Sequence, residues 1–411
     1  MERTDVTALF TPEQRRRAMA LLFGVLLLIM VGFSVLFPIE PYYVRRFGVD
    51  AGTMGIIAGT YSAMQFLFSP LWGRLSDRVG RRPVLIVGLL GYVVGQTLFG
   101  LATQVWMLFA ARTLAGILSA AALPTAMAYI ADITPPEDRA RGMGLVGAAF
   151  GLGVVIGPAM GGALGQVSLS LPFFVSAGLA GAALVAVAAV LPESLPAGAR
   201  TPREASRASR WSAFAWEVAA LYGVTLALSM GMAGIELTFG FFAADRLGLT
   251  PRQTSWVFTV MGLVLAAVQG GLVGRLQRRW GEIRMELVGL ALAALAMVWV
   301  ALTRSPVAAT CAIALLAAGM GIARPANSAL ISRRATTGQG TAIGLMDSFD
   351  SLGRIIGPVL GGSLYRRGLT LPFLSGAVLF AVALLLAAAW AAGAGPDPAG
   401  TGPDPTEQGH A

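Results

Sequence analysis

Few residues in this chain could move a proton, and they are spaced to do so. Asp347, Asp350 and Arg354 stand at i, i+3 and i+7, which places them on one face of any helix that holds them. Burial in an apolar medium disfavours a charged carboxyl, while a nearby guanidinium favours it. A carboxyl held between those influences can take up and release a proton near neutral pH. Two readings stay open at Asp350: a static pair with Arg354 that holds the helix, or a proton carrier. Asp347, one turn further from Arg354, is the freer group. Glu236 and Glu40 also lie in or against apolar stretches, as does Arg112. Ionisable groups in such places are expensive and mark a functional path or a structural ion pair.

What is missing narrows the chemistry. All 30 basic residues are arginine. Without lysine there is no P-loop lysine and no Schiff base. The one histidine is His410 and the one cysteine is Cys311. Internal disulfides and Cys–His metal sites are thereby excluded. Gly142, Gly144 and Gly147 satisfy G-x-G-x-x-G, but an acidic loop and an apolar helix surround them, not the strand that a dinucleotide site needs. The expectation is a protein that is not an enzyme and takes no cofactor and no metal.

The elements that carry these residues are membrane-spanning. Hydrophobic residues make up 56% of the 411 and charged residues 12%, against about 25% charged in soluble domains. Mean hydropathy is +0.71. Apolar blocks of bilayer-crossing length fall at 18–39, 52–72, 83–101, 105–130, 141–165, 171–192, 213–239, 253–274, 284–303, 307–331, 339–363 and 371–392. With the N-terminus placed in the cytoplasm, 20 arginines fall in cytoplasmic segments and seven in outer loops. That is the bias of a multi-pass protein with both termini inside. It also accounts for the +9 net charge without nucleic acid.

The chain repeats itself. Gly144, Gly153, Gly157, Pro158, Gly161 and Gly162 recur 200 residues later as Gly344, Gly353, Gly357, Pro358, Gly361 and Gly362, and Leu171-Pro172-Phe173 recurs as Leu371-Pro372-Phe373. Such duplication in an apolar chain is the mark of a transporter built from two repeats. The expected fold is an all-α integral membrane protein, twelve transmembrane helices in two pseudo-symmetric six-helix bundles. The bundles are expected at 1–192 and 213–392. A cytoplasmic linker is expected at 193–212 and a disordered tail at 393–411.

The loop Gly73-Arg74-Leu75-Ser76-Asp77-Arg78-Val79-Gly80-Arg81-Arg82 resembles the G-x-L-x-D-R-x-G-R-R/K signature of the major facilitator superfamily. A decayed copy follows at Gly274–Gly281. The glycine pattern from Gly144 to Gly162 resembles that of the superfamily's twelve-span drug–proton antiporters, of the tetracycline and multidrug type. The resemblance implies a cytoplasmic gate motif of Gly73, Asp77, Arg78, Gly80, Arg81 and Arg82, a latch for the outward-open state. It implies that Arg112 (R-x-x-x-G) takes part in proton coupling. The bare alternative is a structural ion pair, with Asp77 as a partner.

Proton-coupling candidates are then Asp347, Asp350, Glu236, Glu40, Arg112 and Arg354. Candidate cavity residues are Phe33, Phe37, Met127, Tyr129, Met230, Met232, Phe239, Arg324 and Asn327, mostly the adaptable methionines and aromatics that suit lipophilic ligands. The expected function is export of lipophilic or cationic drug-like compounds in exchange for protons, by alternating access. Export of one physiological solute, such as a sugar or lipid precursor, is the alternative. Expected partners are a small-molecule substrate, protons and the lipid bilayer of the cell membrane. No nucleic acid is expected, and the protein is expected to be a monomer.

Overall fold

The computed structural model describes residues 10–135, 138–195, 216–334 and 339–393. Most of the expected linker 193–212 and nearly all of the expected tail 393–411 lie outside the described residues. Every regular element among those described is helical. The first half holds α1 (Pro12–Ser34), the short α2 (Glu40–Val44), α3 (Ala51–Val79), α4 (Arg81–Gly100), α5 (Val105–Ser119), α6 (Ala122–Ile133), α7 (Arg139–Val167) and α8 (Leu171–Val190). The second holds α9 (Trp216–Asp245), α10 (Pro251–Ala267), α11 (Val273–Leu302), α12 (Pro306–Arg334), α13 (Gln339–Arg367) and α14 (Leu371–Gly393).

Local chemistry sets the helix ends. Thr11 and Gln14 form a capping box ahead of α1, and Thr250 and Gln253 form another ahead of α10. Asp50 caps α3 by accepting from the Thr53 amide at 2.8 Å. The α3–α4 turn passes through Gly80 at φ 111°, and a matching break inside α11 passes through Gly281 at φ 71°. Both angles are costly for any residue with a Cβ. The expected span 105–130 is one apolar segment, Val105–Ile133, that breaks at Ala120–Ala121 between α5 and α6. Pro124, with no amide proton and a ring that crowds the carbonyl four residues back, explains the break. A π-helical turn, Val268–Leu272, joins α10 to α11 where Gly270 and Gly271 sit.

Nine segments of the described residues are long and apolar enough to cross a bilayer. One of them, Pro251–Leu302, runs 52 residues. A straight helix of that length would reach ~78 Å, more than twice the ~30 Å hydrocarbon core, so the break at Gly281 divides two passes. The long helices α3 and α13 fall outside that measure because they carry polar residues into the middle of the molecule. Asp347, Asp350 and Arg354 all sit on α13.

The two halves pack alike. In the first, α1 lies on α7 and α8, and α4 lies on α5 and α8; in the second, α9 lies on α13 and α14, and α11 lies on α12 and α14. The halves meet along α3 with α13 and along α7 with α10. Glycine makes that approach possible. A Cβ on Gly55 would stand 2.3 Å from the Pro358 carbonyl oxygen, and one on Gly362 would stand 2.1 Å from that of Ala51.

Among the described residues, every hydrogen bond and ion pair between the halves lies at one end of the molecule. Arg366 grips Asp50 at 2.5 and 2.7 Å and Thr53 at 2.8 Å. Arg45 meets Asp245 at 2.7 Å, and the Tyr365 hydroxyl donates to the same carboxylate at 2.8 Å. Tyr42 donates to the Leu249 carbonyl and accepts from the Thr254 hydroxyl. Arg45 and Asp245 are themselves 200 residues apart, so this pair joins equivalent points of the two repeats. The largest apolar cluster lies here too, with Tyr43, Phe99 and Phe173 from one half and Phe239, Phe242 and Phe373 from the other.

The Arg366 hydrogen bonds hold the Asp50 carboxyl at about 2, below its ordinary value. A depressed carboxyl keeps its contribution above the unfolded value and loses it only as pH falls through about 2. With spin labels on loops 45–50 and 245–250 in a Cys311→Ser background, the closed-end distance is expected to stay constant between about pH 8 and about pH 5. Arg366→Ala is expected to lengthen and broaden that distance at either pH. A closure that loosens between those pH values in the unsubstituted protein would contradict the ion-pair account.

Candidate functional site

The second half encloses a cavity of ≈ 400 Å³ lined by α9 (Thr225, Leu228), the π-helical turn (Gln269), α11 (Val273), α12 (Arg324, Pro325, Asn327, Ser328) and α13 (Met346, Asp347, Asp350). It lies toward the end of the molecule away from the closing ion pairs. Three of its features come from helix geometry. Asp347 and Asp350 share the inward face of α13. Arg324 precedes the helix-internal Pro325 on α12. The π-helical turn carries an extra residue per turn and presents Gln269 to the cavity.

Asp350 is the hub. Its Oδ1 accepts from the Arg324 guanidinium and from the Ser229 hydroxyl, and its Oδ2 accepts from Arg354 Nε at 2.9 Å. Glu236, on α9, lies within electrostatic range of Arg354, Arg324 and Asp350 but makes no hydrogen bond among the described residues. Asp347 is exposed to the cavity and makes neither an ion pair nor a hydrogen bond there. Three carboxyls therefore face two guanidiniums. One carboxyl has no matching cation, and a proton or a cationic ligand is what can supply it.

Asn327 adds a second unmet need. It is 2% exposed, and its Nδ2 donates to Thr225 Oγ1 at 2.7 Å. The Thr225 hydroxyl spends its one proton on the Leu221 carbonyl at 3.1 Å. Thr225 can only accept from Asn327, which fixes the orientation of the amide. Asn327 Oδ1 is left buried with no partner among the described residues, an unmet acceptor that costs free energy until a donor reaches it.

The first half holds one buried pair. Arg112 on α5 bonds to Glu40 at the start of α2, and its guanidinium lies 4.6 Å from the Phe99 ring centre and 5.5 Å from that of Tyr61. The alternative partner Asp77 is not the one used. Asp77 sits near the far end of α3 and pairs with Arg81 at 2.6 Å. Tyr61 also lies in electrostatic range of Arg354 across the interface, so the two charged clusters are neighbours.

The signature loop is tied within its own half. Arg81 reaches Asp132 at 3.0 Å and Ser76 at 2.7 Å, while Glu193 accepts from the amides of Arg81 and Arg82 at 2.7 and 3.1 Å. A Cβ on Gly73 would stand in open space, Arg78 makes no hydrogen bond or ion pair among the described residues, and Gly80 supplies the turn. The glycine motif packs helices. A Cβ on Gly153 would meet Met30 and one on Gly157 would meet Ser34, both on α1, one on Gly161 would meet Val35 just past the end of α1, and Gly162 faces Ser255 on α10. Gly144 stands in open space, and Pro158 lies within a continuous helix.

Of the expected cavity residues, Arg324 and Asn327 line the cavity. Tyr129 and Phe239 do not, for both are fully buried. Tyr129 donates to the Pro192 carbonyl at 2.7 Å, and Phe239 packs edge-on against Phe258 at 5.7 Å. Met230 faces a different cavity. Phe33, Phe37, Met127 and Met232 are half-buried outside the lining set. Thr225, Ser229 and Gln269 were not expected from sequence. The glycine pair at 270–271 is the one local signal that could have pointed to the π-helical turn and Gln269.

Comparison with known proteins agrees with this architecture. The model of the Major Facilitator Superfamily matches residues 22–343 and 224–410. Tetracycline resistance protein, class C, of Escherichia coli is 34% identical over 380 residues, covering 89% of this chain and 95% of that protein. Multidrug resistance protein 1 of Bacillus subtilis is 31% identical over 384 residues, covering 92% and 98%. Among solved structures, a bacterial homologue of the human lysosomal transporter Spinster, in an inward-facing and occupied conformation, aligns with a TM-score of 0.76 at 16% identity, covering 93% of this chain and 98% of that one. With the duplicated glycine helices, the signature loop and the helical packing, these matches show that the chain belongs to the Major Facilitator Superfamily and is a multi-pass membrane transporter, not an enzyme.

Proposed function

We propose that this protein exports lipophilic, cationic drug-like compounds in exchange for protons by alternating access. The observation that carries the reading is the cavity's unmatched carboxyl. Asp350 is fully engaged by Arg324, Arg354 and Ser229, which leaves Asp347 and Glu236 to share what is left of the positive charge. A proton and a substrate cation are alternative ways to balance the site, and that exclusion is the basis of exchange. The names of the relatives, multidrug resistance and tetracycline resistance, support a drug as cargo.

The arginine bias sets the orientation of this reading. With the N-terminus in the cytoplasm, the closed end bearing Asp50 and Arg366 faces outward, and the cavity opens inward. Residues 1–192 and 213–392 act as two bundles that rock about the α3–α13 and α7–α10 seams. The signature loop, bonded only within its own half here, is free to engage the second half when the cytoplasmic side closes. Inward protons supply about 2.3 kcal/mol per 100 mV. The Arg112–Glu40 pair serves as a linked charge site in the first bundle.

Three outcomes follow. In proteoliposomes, Asp347→Asn is expected to cut substrate-evoked proton movement by about tenfold or more while the protein stays folded; coupling unchanged in both Asp347→Asn and Glu236→Gln would refute the site. Because Asn327 Oδ1 needs a donor, a protonated secondary amine is expected to bind about tenfold tighter than its quaternary N-methyl analogue, and Asn327→Leu is expected to erase that preference. Finally, Arg112→Leu leaves Glu40 buried without its cation and is expected to destabilise the fold by about 3 kcal/mol. Adding Glu40→Gln should recover most of the loss in an unfolding measurement, and a double variant as unstable as the single would speak against the pair.

A further inference from the structure

A second cavity, ≈ 230 Å³, lies between α9, α13 and α14 with Met297 of α11 at its edge. It is separate from the charged site and is lined by Gly231, Gly234, Gly357, Gly361 and Gly376 together with apolar side chains. No charged residue lines it. Its two hydroxyls are spent on backbone carbonyls: Thr238 donates to Gly234 at 2.8 Å and Ser375 to Pro372 at 2.9 Å. Neither a charge nor a free hydroxyl donor is left for a polar ligand. Its rim is formed by Leu360, Val378 and Val382, which are 42%, 64% and 47% exposed. In a membrane protein these side chains face the bilayer.

The sequence repeat explains why the cavity is here. In the first half the equivalent seam between α1, α7 and α8 is shut by two serines. Ser34 donates to the Gly153 carbonyl at 2.7 Å, and Ser176 donates to that of Gly32 at 2.6 Å and meets Tyr92 at 3.2 Å. A Cβ on Gly157 would fall 1.9 Å from Ser34 Oγ. Two hundred residues on, both serines are glycine, Gly234 and Gly376. A Cβ on Gly234 would find its nearest atom at 3.4 Å, and one on Gly376 would meet only the flexible end of Met297 at 3.2 Å. The second repeat has lost the side chains and bonds that close the first, and it carries Val378 and Val382 at the rim where the first has Gly178 and Ala182.

We infer that this groove is a lipid site that takes one acyl chain of a bilayer phospholipid, inserted between α13 and α14 down to Gly234 on α9. The occupant is an alkyl chain because the lining offers no charge and no free donor. It comes from the bilayer because the rim opens on the bilayer-facing surface. The chain fills the void left by the two missing serines and lies against the α9–α13 seam, where Gly357 packs on Met230 and Gly234. This inference does not depend on the cargo or on proton coupling.

The test is photolabelling of the full chain in vesicles of phosphatidylethanolamine and phosphatidylglycerol doped with a phospholipid that carries a diazirine in one acyl chain. Adducts are mapped by mass spectrometry. Label is expected on Met230, Met297 and the 375–382 stretch at about tenfold the level at Val185, an exposed first-half residue of α8. Gly376→Leu should fill the groove and bring that label down to the Val185 level, with the milder Gly234→Ser lowering it in part. Equal labelling at both places in the unsubstituted protein, or label that persists in folded Gly376→Leu, would overturn the inference. So would displacement of the label by a lipophilic amine, since the groove would then be a cargo site.

Discussion

A carboxylate inside a bilayer has to be met by a cation or a proton, and the second half of this transporter is arranged around that constraint. Asp350 draws two guanidiniums and a hydroxyl to itself. This satisfies one acid at the expense of its neighbours, Asp347 and Glu236. Were the numbers of acids and bases equal, the cluster would be a static brace of the kind that often adds little to stability. The odd acid makes it responsive, because its state depends on what else enters the cavity.

The remainder of the fold keeps that cluster movable. Glycines at 153, 157 and 161, and again at 353, 357 and 361, let α7 and α13 lie flat on α1 and α9. Each bundle is thereby stiff along its own long seams. The contacts between bundles run along the α3–α13 and α7–α10 seams, and at the closed end ion pairs and the Tyr42 hydroxyl lie beside an apolar cluster that both halves share. The polar contacts can be exchanged for water at small net cost, whereas the shared apolar cluster is uncovered when that end opens. The arrangement suits two rigid units that part at one end and meet at the other.

Much of this could be read in the sequence, and the rest could not for definable reasons. The repeat was legible chiefly because the glycines at 153, 157 and 162 and at 353, 357 and 362 each admit a neighbouring helix where a Cβ would clash, which holds the same spacing in both copies; Gly144 and Gly344 stand in open space. The Asp350–Arg354 pair was legible because four residues is one helical turn. Arg324 and Ser229 join Asp350 only because α9 and α12 converge on α13, and no local pattern encodes that. Arg112 and Glu40 are likewise partnered across the fold, and the eye is drawn instead to Asp77, which belongs to the far end of its helix. Tyr129 and Phe239 had the residue type of a cavity wall but face cores, since an aromatic on a helix does not announce which neighbour it meets. The closing pairs, Arg366 with Asp50 and Arg45 with Asp245, join helix ends of opposite halves, a contact that no local pattern encodes.

Proton release on ligand binding tests the central claim most directly. Purified protein in weakly buffered detergent solution, mixed with a tightly bound lipophilic amine, is predicted to release about one proton per molecule bound. The release should vanish at a pH high enough that the unmatched acid is already ionised. Binding of the same amine with no proton released at any pH would show that the two cations do not compete for one acid, and the account would be wrong.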